Sequence, residues 1–322
     1  MDPGTLVLAT ALLAGAVWLI KPYIDWRRAL ARPLESDIAR TSFQFLPGAL
    51  VPPSWKAPEV MLSVVVPAFN EEDRLPQMLS EAFTYLEARA AANPLGFSYE
   101  VVVVDDGSVD GTYGAALGTW CRQPNPRHGE LRVLQLVANR GKGFAARLGM
   151  LVARGRLLLM ADADGATSIR DLERLEWVLS EGRYDEDGGP QLVFGSRYHL
   201  KEEVAAAGRS ASRGHVMAAL QLLAWLCIGG PVYDTQCGFK LFRAGVGKAL
   251  FTSLHLHGWA FDVELVILAR LFGQRIAEVP VTWVEMPGSK FKLVAGTLGM
   301  IRDFFLLQVF YVLRIWRPVS VA

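Results

Sequence analysis

Several features that would settle the class of this chain at once are missing from it. Three cysteines, Cys121, Cys227 and Cys237, are spread over 322 residues. They are too few and too scattered for a disulfide framework or a structural zinc site, which fits a reducing compartment. The five histidines, His128, His199, His215, His255 and His257, show no ligand spacing such as H-E-x-x-H. His255 and His257 are expected at the surface or behind a site. A formal net charge of +1 lacks the basic excess of a nucleic-acid binder. No Walker loop, Ser-His-Asp arrangement or internal repeat stands out, and no G-x-G-x-x-G follows the first strong strand, so the dinucleotide fingerprint is excluded. What the chain does have, 52% apolar and 20% charged residues, is enough for a large core and one catalytic domain with additions.

Charge is also missing near the start. Residues 3–20, "PGTLVLATALLAGAVWLI", carry none, and at about 1.5 Å per residue they nearly match a hydrocarbon core of about 30 Å. A cleaved signal peptide wants a basic start and a small-residue cleavage site; here Asp2 precedes the run and "VWLIKPY" ends it. A retained transmembrane anchor over 1–22 is expected, with a buried hairpin helix as the alternative. Lys21, Arg27, Arg28 and Arg32 follow, so the positive-inside rule puts the following domain in the cytosol. Residues 23–60, with Pro47, Pro52, Pro53 and Pro58, read as a tether.

Beyond it, "MLSVVVPAF" (61–69), "YEVVVVDDGS" (99–108), the weaker "LRVLQLV" (131–137) and the apolar run that opens "LLLMADADGAT" (157–167) and stops at its acids read as strands. Helical stretches run from about residue 71 and over 143–154. Val and Leu runs without alternation, separated by helices, describe an α/β unit with a mostly parallel sheet covered on both faces. Three of the four strands end in acid: "PAFNEE", "DDGSVDGT" and "DADGAT". Ligands of open α/β sheets bind outside the carboxyl ends of the strands, so these acids can converge there. Each also has an ordinary reading, as a helix cap or a turn. Lys142, in "NRGKG", suits a phosphate or a solvated turn equally well. The second half has shorter elements. Its uncharged run 216–233 is broken by Gly229, Gly230 and Pro231, which favours a buried or interfacial helix over a span. The apolar segment 291–322 carries Arg302 and Asp303 mid-way, which fits an amphipathic interfacial helix or a helix packed on the core.

The ordered set "SVVVPAFNEE", "VVVVDDGSVDGT", "NRGKGFAARLGM", "LLLMADADGAT", "FGSR", "DTQCGFKLF", "GWAFDVELV" and "EVPVTWVEMPGSK" resembles the inverting family-2 glycosyltransferases of the GT-A fold. Within them it is most similar to the enzymes that move glucose from UDP-glucose to dolichyl phosphate. The resemblance covers about residues 62–290. It implies a Rossmann-like GT-A domain over 61–290, a membrane-associated helical segment over 291–322, and an endoplasmic-reticulum membrane enzyme that makes a lipid-linked glucose donor for N-glycosylation.

It also implies roles. Mg²⁺ or Mn²⁺, held by one or two carboxylates and the substrate's phosphates, meets the charge of a leaving diphosphate. Asp164 is the expected direct ligand, and Asp162 lies nearer the ribose or reaches the metal through water. Pro67, Phe69, Glu71, Asp105, Asp106, Lys142, Gln236 and Trp259 are expected around the nucleotide-sugar. Arg197, Arg213 and Lys290 are expected around the acceptor phosphate, which needs no strong base because its second pKa is about 6; for Arg213 a surface or headgroup role is equally open. Asp262 is expected to hold a glucose hydroxyl or act as base, the alternative being a helix N-cap. Mannose from GDP-mannose, a bacterial undecaprenyl phosphate acceptor, and a non-catalytic scaffold remain as alternatives.

Overall fold

The structure is a computed structural model that describes residues 15, 17, 18, 20, 21, 24, 37–41, 58–124, 128–181, 189–200, 211–230, 232–288 and 293–319. Most of the expected anchor and of the tether therefore lies outside the described residues; of the anchor, residues 15, 17, 18, 20 and 21 are described, and they are helical. Residues 38–41 of the tether do not behave as one: they form β1 (Ile38–Thr41), the edge strand of the sheet. Short and polar, it gives no period-2 signal of its own and is identified only by its antiparallel pairing with β4 (Gly129–Leu136).

β2 (Val60–Ala68), β3 (Tyr99–Asp105), β4 and β5 (Gly155–Met160) are parallel, and β2 lies between β3 and β5. The chain thus fills one side of β2 with β3 and β4, then crosses to the other side for β5, which makes a switch point at the carboxyl ends of β2 and β5. The rest of the sheet is mixed. β7 (Lys240–Arg243) runs antiparallel to both β5 and β6 (Leu192–Ser196), and β8 (Ile276–Pro280) is parallel to β6. The eight strands take the order β1-β4-β3-β2-β5-β7-β6-β8.

Eight helices cover the described sheet: α1 (Leu75–Ala92), α2 (Thr112–Cys121), α3 (Lys142–Val152), α4 (Leu172–Glu181), α5 (Ala211–Ile228), α6 (Ala244–Ser253), α7 (Phe261–Leu271) and α8 (Leu293–Val312). Successive strand residues point to opposite faces, so Val64 and Val66 join one buried cluster with Leu79 and Phe83 of α1. Val65 joins the other, with Phe144 of α3 and Phe261 and Leu265 of α7. Both faces are therefore core, which is why the strands read as unbroken Val and Leu runs.

α1 begins four residues later than expected. Asn70, with φ 54° in the left-handed region, ends the strand in a turn before Pro76 sets the helix's first turn. α5 stops at Gly229, φ 61°, and α8 packs against it. By length and composition alone, residues 294–312 of α8 could cross a membrane, with mean hydropathy 1.2 and 33% of that window buried.

Candidate active site

The carboxyl ends of β2, β5 and β6, the Gly141 turn and one face of α8 enclose a cleft of about 580 Å³. Pro67, Phe69, Glu71, Asp106, Lys142, Asp162, Asp164, Arg197 and Trp259 all line it. Asp105, Gln236 and Asp262 do not. Lys290 and the side chain of Arg213 lie outside the described residues.

On the β2 side, Glu71 is nearly buried and its backbone N–H donates to Thr112 Oγ1 at 2.7 Å. Its carboxylate receives Arg74 Nε at 2.7 Å and Nη2 at 2.5 Å. Arg74 Nη1 continues to the Pro287 carbonyl at 2.9 Å and lies 3.9 Å from Asp164 Oδ2. Arg74 thus links Glu71, Asp164 and the loop after β8.

Asp105, expected beside the nucleotide, is turned away from it. Fully buried, it accepts from Gln135 Nε2 at 2.5 Å and from the Ser108 N–H at 2.9 Å. Asp106 faces the cleft and receives two backbone N–H groups, Arg140 at 2.7 Å and Gly141 at 2.8 Å. Burial pushes its carboxyl up to about 7 even so. Asp106 thereby shapes the turn that presents Lys142. Gly141 there has φ 102°, and a Cβ on it would strike the His257 carbonyl, so only glycine fits.

β5 delivers Asp162 and Asp164. Lys142 Nζ is 2.6 Å from Asp162 Oδ1 and 5.5 Å from the centre of the Trp259 ring. Burial alone would raise the Asp162 carboxyl, but Lys142 holds it below its ordinary range; Asp162 and Asp262 likewise raise Lys142 against its own burial. The Asp162 carboxylate packs flat on Gly238, where any side chain would collide with it. Asp164 Oδ1 caps the following turn by accepting the Ala166 N–H at 3.0 Å. The same turn is stitched to the segment after β8, where Val284 N–H donates to Ala166 O at 2.9 Å and Thr282 N–H to Asp171 Oδ2 at 2.6 Å.

At the end of β6, Arg197 makes a two-pronged bond with Asp234, Nε to Oδ2 and Nη2 to Oδ1, both 2.8 Å. Its guanidinium lies 5.5 Å from the centre of the Trp283 ring. Asp262 is in the first turn of α7, but buried, with Oδ1 2.6 Å from Lys240 Nζ. Desolvation raises its carboxyl, with Lys240 opposing. Its carboxylate is thus turned to Lys240 and does not line the cleft. Glu264, one turn face away, accepts from the His255 and Leu256 N–H groups, pairs with His255 Nδ1 at 2.6 Å and receives Tyr311 O–H at 2.8 Å. His255 is therefore core, 3% exposed and stacked on Trp316, which leaves the surface alternative aside.

A model of glycosyl transferase family 2 matches residues 63–251. Curated relatives named dolichyl-phosphate beta-glucosyltransferase align along most of their length. The protein from Drosophila melanogaster is 46% identical over 82% of this chain and 79% of its own, and that from Homo sapiens 44% identical over 83% and 81%. The chain belongs to glycosyl transferase family 2. A crystal structure of a mycobacterial protein superposes with a TM-score of 0.50 at 19% identity, over 78% of this chain and 74% of that one; it supports the GT-A-like fold and nothing finer.

As a family-2 glycosyltransferase, the chain brings to its cleft three cationic or acidic groups that were not singled out beforehand as site residues: Arg74, Glu285 and the Arg302–Asp303 pair of α8. Lys240 lies beneath it. Arg74 stands three residues past Glu71 of "NEE", a helical spacing that could have flagged it. Lys240 is hidden in an apolar strand where it looks like an ordinary outward-facing residue. Six acids (Glu71, Asp106, Asp162, Asp164, Glu285, Asp303) face four cations (Arg74, Lys142, Arg197, Arg302) around the cleft. A diphosphate entering this lining needs a further positive charge. Among the described residues no three His, Cys, Asp or Glu side chains converge, so a closed protein cage does not fit. A hard divalent ion held by Asp162 and Asp164 and completed by phosphate oxygens does fit.

Proposed function

We propose that this protein transfers glucose from UDP-glucose to dolichyl phosphate with inversion, forming dolichyl β-D-glucosyl phosphate as the glucose donor for N-glycosylation. The observation that carries this reading is the 46% identity, across 82% of the chain, to a dolichyl-phosphate beta-glucosyltransferase. The joining of the β2, β3 and β5 acids in one cleft supports it. The donor follows from the resemblance of the ordered motifs.

In this reading Asp164, with Asp162, holds Mg²⁺ or Mn²⁺, which when bound offsets the charge of the leaving diphosphate. Lys142 balances Asp162 and stands ready for the phosphates, while Trp259 closes that end over the sugar. Glu71, presented by Arg74, accepts hydrogen bonds from the base or ribose. Asp106 acts through the Gly141 turn, and Asp105 one layer further back. Arg197, fixed by Asp234, presents a charged edge to the acceptor phosphate, with Arg213 and Lys290 as further cations from outside the described residues. The acceptor is already ionised near neutral pH, so it needs orientation more than deprotonation. Asp262 therefore serves through Lys240 as a positioning residue, with Gln236 beside it.

The membrane placement is part of the proposal: an N-terminal anchor, a domain in the cytosol and an endoplasmic-reticulum membrane. It is supported by the exposed Leu222, Trp225 and Leu226 of α5 and the exposed Val294, Leu298 and Phe305 of α8, apolar surface of a kind that interfacial helices bury.

The test is transfer of labelled sugar from UDP-glucose, and in parallel from GDP-mannose, to dolichyl phosphate in detergent, with and without Mg²⁺. Labelling from UDP-glucose alone is expected. Asp164→Ala should lower it at least 100-fold while shifting the melting temperature little, because only one turn cap is lost. Labelling from GDP-mannose overturns the donor, and full activity in Asp164→Ala overturns the metal assignment.

A further inference from the structure

α8 is apolar over its length except for two adjacent charges at its middle. Its Ala295, Gly296, Gly299, Met300, Arg302 and Asp303 form one wall of the cleft. Val294, Leu298, Ile301 and Phe305, on the other side, are between 43% and 73% exposed. The helix is thus two-faced, and its charges turn inward.

The two charges are bound to each other: Arg302 Nε and Nη2 both reach Asp303 Oδ1, at 2.8 and 2.6 Å. The pair is largely withdrawn from water, with the Arg302 side chain 17% exposed and that of Asp303 5%. A pair of this kind is weak support for a fold, since apolar side chains of similar volume often stabilise as well or better. Its position offers another use. Asp303 packs on Gly258, whose neighbour Trp259 lies against Lys142, itself paired with Asp162. The pair is therefore one layer of side chains away from the donor aspartates. On its other side the Arg302 guanidinium lies 5.0 Å from the centre of the Trp18 ring. Trp18 belongs to the uncharged N-terminal run, and it and its neighbours Val17 and Ile20 are 42% to 52% exposed. Arg302 also lines a second cavity of about 110 Å³, together with Lys21.

We propose that Arg302 receives the phosphate head of the lipid acceptor, at the seam where the apolar faces of α8 and the Trp18 segment meet the polar cleft. The inference rests on the functional reading above and names a residue for it. A phosphomonoester on a long apolar chain has charge at one end and hydrocarbon at the other, and this seam has the same division. Asp303 keeps the guanidinium in place until a phosphate takes over its donors; a planar fork suits both partners.

The experiment compares wild type, Arg302→Ala and Arg302→Lys in detergent, measuring KM for dolichyl phosphate, KM for UDP-glucose and inhibition by UDP. The expected result is a rise in the KM for the lipid of about 10-fold or more in Arg302→Ala, partial recovery in Arg302→Lys, and values for UDP-glucose and UDP within twofold of wild type. Weakened UDP inhibition assigns Arg302 to the donor's diphosphate and overturns the proposal. So does a fall in kcat and melting temperature with both KM values unchanged, which marks a structural pair. Wild type that labels no polyprenyl phosphate overturns the functional reading and this inference together. Wild type that labels one, with an unchanged lipid KM in Arg302→Ala, overturns the inference alone.

Discussion

Gly238→Ala places one methyl group under the Asp162 carboxylate. The added Cβ would overlap Cγ and both oxygens of that side chain, and carbon atoms in comfortable contact stand about 3.5–4.0 Å apart. The carboxylate has to retreat by roughly 1 Å or more. Moving it from 2.6 Å to about 3.9 Å from Lys142 weakens that attraction from about 6 to about 4 kcal/mol at an effective dielectric of about 20. Partial exposure of Asp162 makes about 2 kcal/mol an upper value. Overpacking of this kind typically costs a further 1–3 kcal/mol or so. The melting temperature should fall by about 2–7 °C. Transfer should fall at least 10-fold, because a carboxylate that lines the cleft has moved. Gly245→Ala is the control: nothing lies within 4 Å of its Cβ, and in α6 it should be neutral or slightly stabilising. In an Asp162→Ala background, Gly238→Ala should cost almost nothing further in stability, a coupling of about 1–3 kcal/mol. An unchanged melting temperature and rate in Gly238→Ala, or costs that simply add, refutes the packing account.

Lys240→Met leaves the Asp262 carboxylate buried without its cation and should destabilise by about 3–5 kcal/mol, with Lys240→Met/Asp262→Leu recovering part of it; denaturant midpoints check this, and a neutral single variant would contradict it. Asp106 titrates at about 7 in the fold against an ordinary 3.8 because burial opposes its charge. The folded state therefore holds that proton more tightly than the unfolded chain, so its contribution is complete below pH 4 and is lost as pH rises to about 7, at most about 4 kcal/mol. Stability curves of wild type and Asp106→Asn against pH should run closest below about pH 4 and separate as pH rises to about 7, the wild type falling; parallel curves would show that the carboxyl is not perturbed.

The parallel half of the sheet was legible because burial on both faces writes itself as unbroken Val and Leu runs, and β2, β3 and β5 were found to within a few residues. The mixed half was not. β6, β7 and β8 are four or five residues each, and what makes them strands is pairing with chain far away in sequence, as with β1. The aspartates of β5 were legible because a strand that stops in acid at a sheet's carboxyl edge has a chemical reason to do so. Asp105 and Asp106 could not be told apart: one residue of register sends one carboxylate into the cleft and the other into the core. The burial of Asp262 was hidden for a different reason. Asp262 is on α7 and its partner Lys240 on β7, and a buried ion pair leaves no local mark. Arg302 and Asp303 were read only as obstacles to a membrane span, since nothing short of the packed helix shows which way they turn.

α8 is both a wall of the cleft and the carrier of an exposed apolar stripe. Trimming the chain before residue 293 to obtain a detergent-free domain would take out that wall as well as the greasy surface. Asp162 and Asp164 would remain, but Arg302 and the small-residue lining beside Trp259 would go with the helix. Solubility here is better sought by replacing Val294, Leu298 and Phe305 in place, which alters the outer stripe and keeps the inner wall standing.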